Sequence, residues 1–161
     1  LYAGLMFTAA GPRVLEFNCR FGDPETQAIL PRLRSDLLEL LWAAARGDAL
    51  PAVAWHEGPA VGVVLASRGY PASSSKGDVI RGLAEAAALP GVEVFHAATA
   101  WAAGDLVTSG GRVLTVTGTG DSFSQARARA YAGVDAVRFD GAQHRSDIAL
   151  RAEQREVRSA G

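Results

Sequence analysis

Tyr2 to Thr8 and Arg13 to Asn18 are two β-rich runs joined by Ala9-Ala10-Gly11-Pro12. That short connection has turn chemistry, so the pattern predicts an antiparallel hairpin. Side chains alternate between the faces of a strand. Val14, Glu16, Asn18 and Arg20 are therefore expected on one face, Leu15, Phe17, Cys19 and Phe21 on the other. The second set can pack; the first, polar where a strand interior is usually apolar, can bind.

Beyond the hairpin, Asp23-Pro24-Glu25 is a helix-start signal, and Thr26 to Leu30 is expected to form a short helix ended near Pro31. Ser35 is placed to cap the next helix, Asp36 to Arg46. Its leucines at 37, 38, 40 and 41 predict a largely buried element, closed by Gly47. The composition shifts at 48–59, a segment with Asp48, Pro51, His56, Gly58 and Pro59, which reads as a linker.

A second unit is expected over 60–152. Ala60–Ser67, Val92–Trp101, Leu106–Ser109 and Arg112–Gly118 read as strands, with Gly110-Gly111 as a tight hairpin turn. Arg68–Asp78, rich in Gly, Pro and Ser, reads as a mobile surface loop. Ser122 is placed to cap a helix over Phe123–Val137, whose Phe123, Ala126, Ala130, Val134 and Val137 share a face suited to covering the sheet. Residues 153–161 are polar and expected to fray. The fold class is α/β of the α+β kind, a small, mainly antiparallel sheet with helices.

The 161 residues are 48% hydrophobic, enough for a packed core. Sixteen Lys and Arg against 17 Asp and Glu leave no overall charge signature for nucleic acid or an anionic membrane. No apolar run approaches the roughly 18–20 residues of a membrane span, and a cytoplasmic location follows most simply. The absence of an initiating Met, with a strand opening the chain, suggests part of a longer polypeptide. The single cysteine, Cys19, excludes an intramolecular disulfide framework and is expected to be a buried small hydrophobe. His56, His96 and His144 lack metal-ligand spacing.

Glu16 and Asn18, two residues apart on one strand face, offer hard oxygen ligands of the kind Mg²⁺ takes while bridging to phosphates. Arg20 adds a planar cation for a phosphoryl or carboxylate group. The same spacing also describes an exposed strand with a surface Glu–Arg pair. Lys76 is either a phosphate contact or a solvated loop lysine, and Asp23 either a substrate contact or a helix cap.

The longer string Glu16-Phe17-Asn18-x-Arg20-Phe21-Gly22-Asp23-Pro24-Glu25-x-Gln27, followed by Leu30-Pro31-Arg32-Leu33, resembles the phosphoribosylamine–glycine ligases, or glycinamide ribonucleotide synthetases. The resemblance continues through Gly69-Tyr70-Pro71, Lys76-Gly77-Asp78-Val79-Ile80, Gly110-Gly111-Arg112-Val113-Leu114 and Arg145-x-Asp147-Ile148. It implies that 1–47 completes an ATP-grasp catalytic domain and that 60–152 is the family's carboxy-terminal domain, with the amino-terminal and lid domains elsewhere on the same polypeptide. It further implies an ATP-dependent joining of 5-phosphoribosylamine and glycine through glycyl phosphate, in purine biosynthesis. The implied metal ligands are Glu16 and Asn18, for Mg²⁺ or Mn²⁺. Arg20 is implied as the catalytic cation, and Arg20, Gly22, Asp23 and Lys76 as substrate contacts. The family's usual aromatic, second polar or basic residue and glycine stand here as His144, Ser146 and Ala149. Two alternatives remain at this point: another ATP-grasp carboxylate ligase, or a non-catalytic docking fragment.

Overall fold

The computed structural model describes residues 2–160; Leu1 and Gly161, the outer ends of the expected catalytic portion and tail, lie outside them. The hydrophobic core belongs almost wholly to the second half. Antiparallel strands β3 (Ala60–Ala66), β7 (Arg112–Thr119) and β4 (Val92–His96) form a sheet in the order β3-β7-β4. Of the runs read as strands, Ala60–Ser67 and Arg112–Gly118 supply β3 and β7 and the first part of Val92–Trp101 supplies β4, and both faces of the sheet receive helices.

Helix α4 (Phe123–Ala136) lies across one face. Register pairs Val63 with Val116, Leu65 with Leu114 and Val61 with Gly118, so these residues share that face. They meet Ala126, Ala130 and Val134 of α4, all buried. The approach is so close that a Cβ on Gly118 would overlap the Ala126 carbonyl oxygen and the Ala130 amide nitrogen. Ser122 caps α4 as expected, its hydroxyl accepting the Gln125 N–H at 3.1 Å.

The opposite face carries Gly62, Val64, Thr115 and Thr117 and receives helix α1 (Glu25–Ile29). Buried Thr117 donates its hydroxyl to the Gln27 carbonyl at 2.9 Å. Strands β1 (Tyr2–Thr8) and β2 (Gly11–Asn18) form the expected antiparallel hairpin, paired with each other alone. Between residues 2 and 59 only Gly4 and Gly22 are buried.

Several expectations are corrected. Val92–Trp101 is two strands, because the chain leaves β4 after His96 and enters β5 (Thr99–Ala102), which pairs with β6 (Asp105–Thr108) in a separate hairpin. Gly110-Gly111 consequently links β6 to β7 across two sheets and closes no hairpin between them. Helix α2 (Leu37–Arg46) buries no residue, and Leu38 and Trp42 are well exposed. Its cap is Asp36, whose carboxylate accepts the Leu38 and Glu39 N–H groups at 2.7 and 3.2 Å. The Ser35 hydroxyl instead accepts the Ala54 N–H at 2.7 Å and ties the incoming segment to the chain after the helix. Cys19, expected to be buried, is exposed among the described residues.

Two short helices complete the chain. Helix α3 (Leu83–Ala87) packs beside α4 and β4. Where polarity suggests fraying, α5 (Leu150–Ala160) is helical and docked: Glu156 accepts the Phe123 N–H at 2.8 Å, and Glu153 pairs with Arg127 at 3.7 Å. Arg127 also donates to the Ile148 and Ser146 carbonyls and lies 4.7 Å from the centre of the Tyr131 ring. No helix of the described residues is long and apolar enough to cross a membrane.

Candidate functional site

The hairpin register sets the geometry of the polar face. Gly4 lies opposite Glu16 and Tyr2 opposite Asn18, whereas Leu5 lies opposite Val14, leaving Leu15 as a bulge. Directly paired residues share a face, so Tyr2, Gly4, Glu16 and Asn18 lie together and Val14 moves to the side of Phe17. Regular alternation through Val14 therefore fails, because the extra residue inverts the strand's facing at Leu15. The first atom of a side chain at Gly4 would stand 3.1 Å from Glu16 Cγ. Glycine there leaves the Glu16 side chain room to lie across β1.

Tyr2 extends this face toward α1, donating its hydroxyl to Glu25 Oε1 at 2.9 Å. That bond holds the phenol above its ordinary pKa, since ionisation would place an anion against a carboxylate; Glu16 adds to the effect and Arg20 opposes it. Tyr2 and Glu25 thus belong to the cluster although 23 residues separate them. The sequence gives neither a site role, because a tyrosine on a strand and a glutamate in a first helical turn are ordinary.

Arg20 lies just past β2, its guanidinium donating to the Phe21 carbonyl at 2.8 Å. With Tyr2, Cys19, Phe21, Gly22 and Thr26 it lines an open cleft of about 530 Å³. Gly22 is buried in the turn that follows, its carbonyl accepting the Thr26 hydroxyl and N–H. Asp23 does not cap α1. Its Oδ1 accepts Gln27 Nε2 at 2.9 Å and its Oδ2 pairs with Arg112 at 3.0 Å.

Lys76 stands apart, exposed on the 68–78 surface loop. That loop is bonded to β6: Gly77 N–H donates to the Thr108 carbonyl at 2.8 Å, and Asp78 accepts the Thr108 and Ser75 hydroxyls. These bonds hold the Asp78 carboxyl below its usual pKa. A second cleft, about 460 Å³, opens where Tyr70 and Pro71 face Arg112, His144 and Arg145. The Arg145 guanidinium is paired to Asp147 at 2.6 Å, which lowers the Asp147 pKa.

Glu16 and Asn18 together offer one carboxylate and one carboxamide to a cation. Asn18 Nδ2 is buried without a hydrogen-bond partner, so the carboxamide is not committed to the protein through that atom. Among the described residues no three His, Cys, Asp or Glu side chains gather as a metal site. A two-oxygen protein donor set fits a hard cation that takes its remaining ligands from substrate phosphates and water.

Comparison with known proteins matches two portions of the chain. The family model described as Phosphoribosylglycinamide synthetase, C domain, matches residues 60–151, and that described as Phosphoribosylglycinamide synthetase, ATP-grasp (A) domain, matches residues 1–26. The phosphoribosylamine–glycine ligase of Pseudomonas aeruginosa is 55% identical over 159 residues, covering 97% of this chain and 37% of that protein. The ligase of Neisseria meningitidis serogroup A is 54% identical over 96% of this chain and 37% of its own length. The crystal structure of phosphoribosylamine–glycine ligase from Thermotoga maritima superposes with a TM-score of 0.76 at 39% identity, over 90% of this chain and 35% of that one. The chain thus spans a little over a third of the length of the relatives it matches.

Proposed function

Because this chain belongs to the phosphoribosylglycinamide synthetase family, we propose that it is the carboxy-terminal portion of a cytoplasmic ligase that joins 5-phosphoribosylamine and glycine as ATP becomes ADP and phosphate. The observation that carries the proposal is the pairing of Glu16 and Asn18 on one face of the hairpin, within the portion matched by the ATP-grasp model. In this reading residues 1–47 belong to the catalytic domain, 48–59 link, and 60–152 form the carboxy-terminal domain.

Glu16 and Asn18 are the residues that would hold Mg²⁺ or Mn²⁺, and a bound ion would supply charge neutralisation on the phosphates of ATP. Arg20, lining the cleft, would present its guanidinium to an anionic substrate group. Gly22 keeps the turn beside it compact, and Asp23 shapes that turn through its bonds to Gln27 and Arg112. Lys76 would contribute a phosphate contact from its own loop. The Tyr2–Glu25 bond favours the neutral phenol, so Tyr2 acts here as a hydrogen-bond donor.

The uncovered face of the hairpin supports the proposal that this unit works within a larger polypeptide. Leu5, Phe7, Val14 and Phe17 share that face and are all exposed. An apolar surface of this kind marks a contact to be made, and the amino-terminal and lid portions of the ligase are the occupants proposed. The 161 residues alone are accordingly expected to show negligible turnover.

The test is ADP release by a complete ligase carrying this sequence as its carboxy-terminal portion. Release that requires glycine and phosphoribosylamine together, and that Glu16→Ala abolishes, is the expected result. Release with a different carboxylate, or unchanged rate and metal dependence in Glu16→Ala, would overturn the reading.

A further inference from the structure

Two polar struts join the β2–α1 region to the carboxy-terminal sheet: Thr117 on the Gln27 carbonyl, and Arg112 on Asp23. The second is doubled. Arg112 Nη1 donates to the Asp23 main-chain carbonyl at 2.9 Å while Nη2 meets the Asp23 carboxylate at 3.0 Å, across 89 residues of sequence. The base of this arginine is fixed, since its residue begins β7, pairs with Ala66 and accepts the Ala98 N–H at 3.0 Å. The other end of the strut is an exposed turn with few anchors of its own.

The remaining bonds of that turn are local. Gln27 reaches Asp23 from one helical turn away, Thr26 reaches Gly22, and the Arg20 guanidinium meets only its neighbour's carbonyl. Local bonds preserve the shape of a turn without fixing its position relative to another unit. Thr117 fixes α1 at Gln27, and Arg112 is the contact that fixes the Arg20–Pro24 turn directly, through a planar donor set matched to a carbonyl and a carboxylate at once.

We propose that Arg112 is a positioning residue: it clamps the Arg20–Pro24 turn to the carboxy-terminal sheet and thereby holds Arg20 in place for the reaction. The catalytic half of this statement rests on the ligase reading; the clamp itself does not. Asp23 is accordingly the acceptor of the clamp, with both carboxylate oxygens already engaged by the protein, and makes no direct substrate contact.

Cys19, the single cysteine and exposed beside the turn, provides a reporter. With a nitroxide at Cys19, Arg112→Met is expected to shorten the label's rotational correlation time by roughly twofold or more on the nanosecond scale, with the far-UV circular dichroism unchanged. Arg112→Lys, which can make one of the two contacts, and Asp23→Asn, which keeps the main-chain carbonyl, should fall between. A wild-type spectrum in folded Arg112→Met would overturn the clamp. Should Arg112→Met fail to fold, wild-type spectra in both milder variants would do the same.

In the complete ligase, Arg112→Met is expected to lower kcat by about 10- to 100-fold, the scale of a small misplacement, with KM for ATP within about twofold of wild type. Adding Asp23→Asn to Arg112→Met should cost nothing more, because the carboxylate then has no clamp to serve. An equal loss from Asp23→Asn in both backgrounds would make Asp23 a substrate contact and refute the positioning role. A loosened label in a protein with no glycine-dependent ADP release even as wild type would leave the clamp standing and sink the ligase reading.

Discussion

Gly118 of β7 and Ala130 of α4 are in backbone contact, with no room for a side-chain carbon on the strand beneath the helix. Gly118→Val should therefore push α4 off the sheet. Backbone atoms cannot rotate aside as a flexible side chain can, so the expected cost is about 3 kcal/mol, the upper end of overpacking penalties. Urea unfolding followed by circular dichroism would measure it; a loss under about 1 kcal/mol would mean that the helix slides freely.

Ala149 has φ of 59°, in the left-handed region, at the position where the family resemblance implies glycine. Ala149→Gly should stabilise the protein. The relief of roughly 1–2 kcal/mol of left-handed strain exceeds the roughly 0.4–1 kcal/mol of added freedom in the unfolded chain. The net gain, about 0.5–1 kcal/mol, is readable as a raised urea midpoint. A lowered midpoint would contradict the assigned conformation.

Asp36 and Ser35 are adjacent, yet only Asp36 accepts the free N–H groups of α2. Asp36→Ala should cost about 1 kcal/mol of helix stability, with amide exchange accelerated first at Leu38 and Glu39. Ser35→Ala should spare those two amides and expose that of Ala54, whose N–H the hydroxyl accepts. Exchange mapped residue by residue distinguishes the two, and faster exchange at Leu38 in Ser35→Ala would refute the assignment.

The Asp78 carboxyl is held below its ordinary value of 3.8 by the Ser75 and Thr108 hydroxyls. A group whose pKa falls on folding binds its proton more weakly in the native state, so its stabilisation is complete above the unfolded value. It disappears as pH falls through the lower native value. The stability difference between wild type and Asp78→Ala should thus be constant from pH 7 to about 5 and shrink below about 4. A difference that grows on acidification would reverse the sign of the linkage.

Much of the architecture was legible because local signals and burial agree. Ser122 caps α4, and the strands read at Ala60–Ser67 and Arg112–Gly118 are found as Ala60–Ala66 and Arg112–Thr119. The hairpin was legible as two β-rich runs, although its turn is Ala9-Ala10 alone, with Gly11 and Pro12 paired in β2; the bulge at Leu15 was not legible, since nothing in Val14-Leu15-Glu16 departs from ordinary strand chemistry. The burial expected of Cys19 and the α2 leucines failed for one reason: apolarity states a preference for cover, while the cover must come from elements that the described residues do not provide. Helix α5 was hidden by its polarity, because it docks through Glu153 and Glu156.

The candidate site shows the same division. Glu16 and Asn18 were found together because two residues on one strand face are neighbours by geometry alone. Arg112 reached Asp23 across 89 residues and Glu25 reached Tyr2 across 23, both only through folding, and Lys76 did not join them. Spacing reveals neighbours within an element; contacts between elements require the packing.

The β1–β2 hairpin also governs how the chain behaves as a solute. No described third strand flanks either of its edges, so both carry unpaired backbone donors and acceptors beside an apolar face. A formal net charge of −1 supplies almost no long-range repulsion between copies. For these 161 residues taken alone, colloidal stability is therefore decoupled from the well-packed sheet beneath α4: a preparation folded in its second half would still cluster through the β1–β2 hairpin as concentration rises.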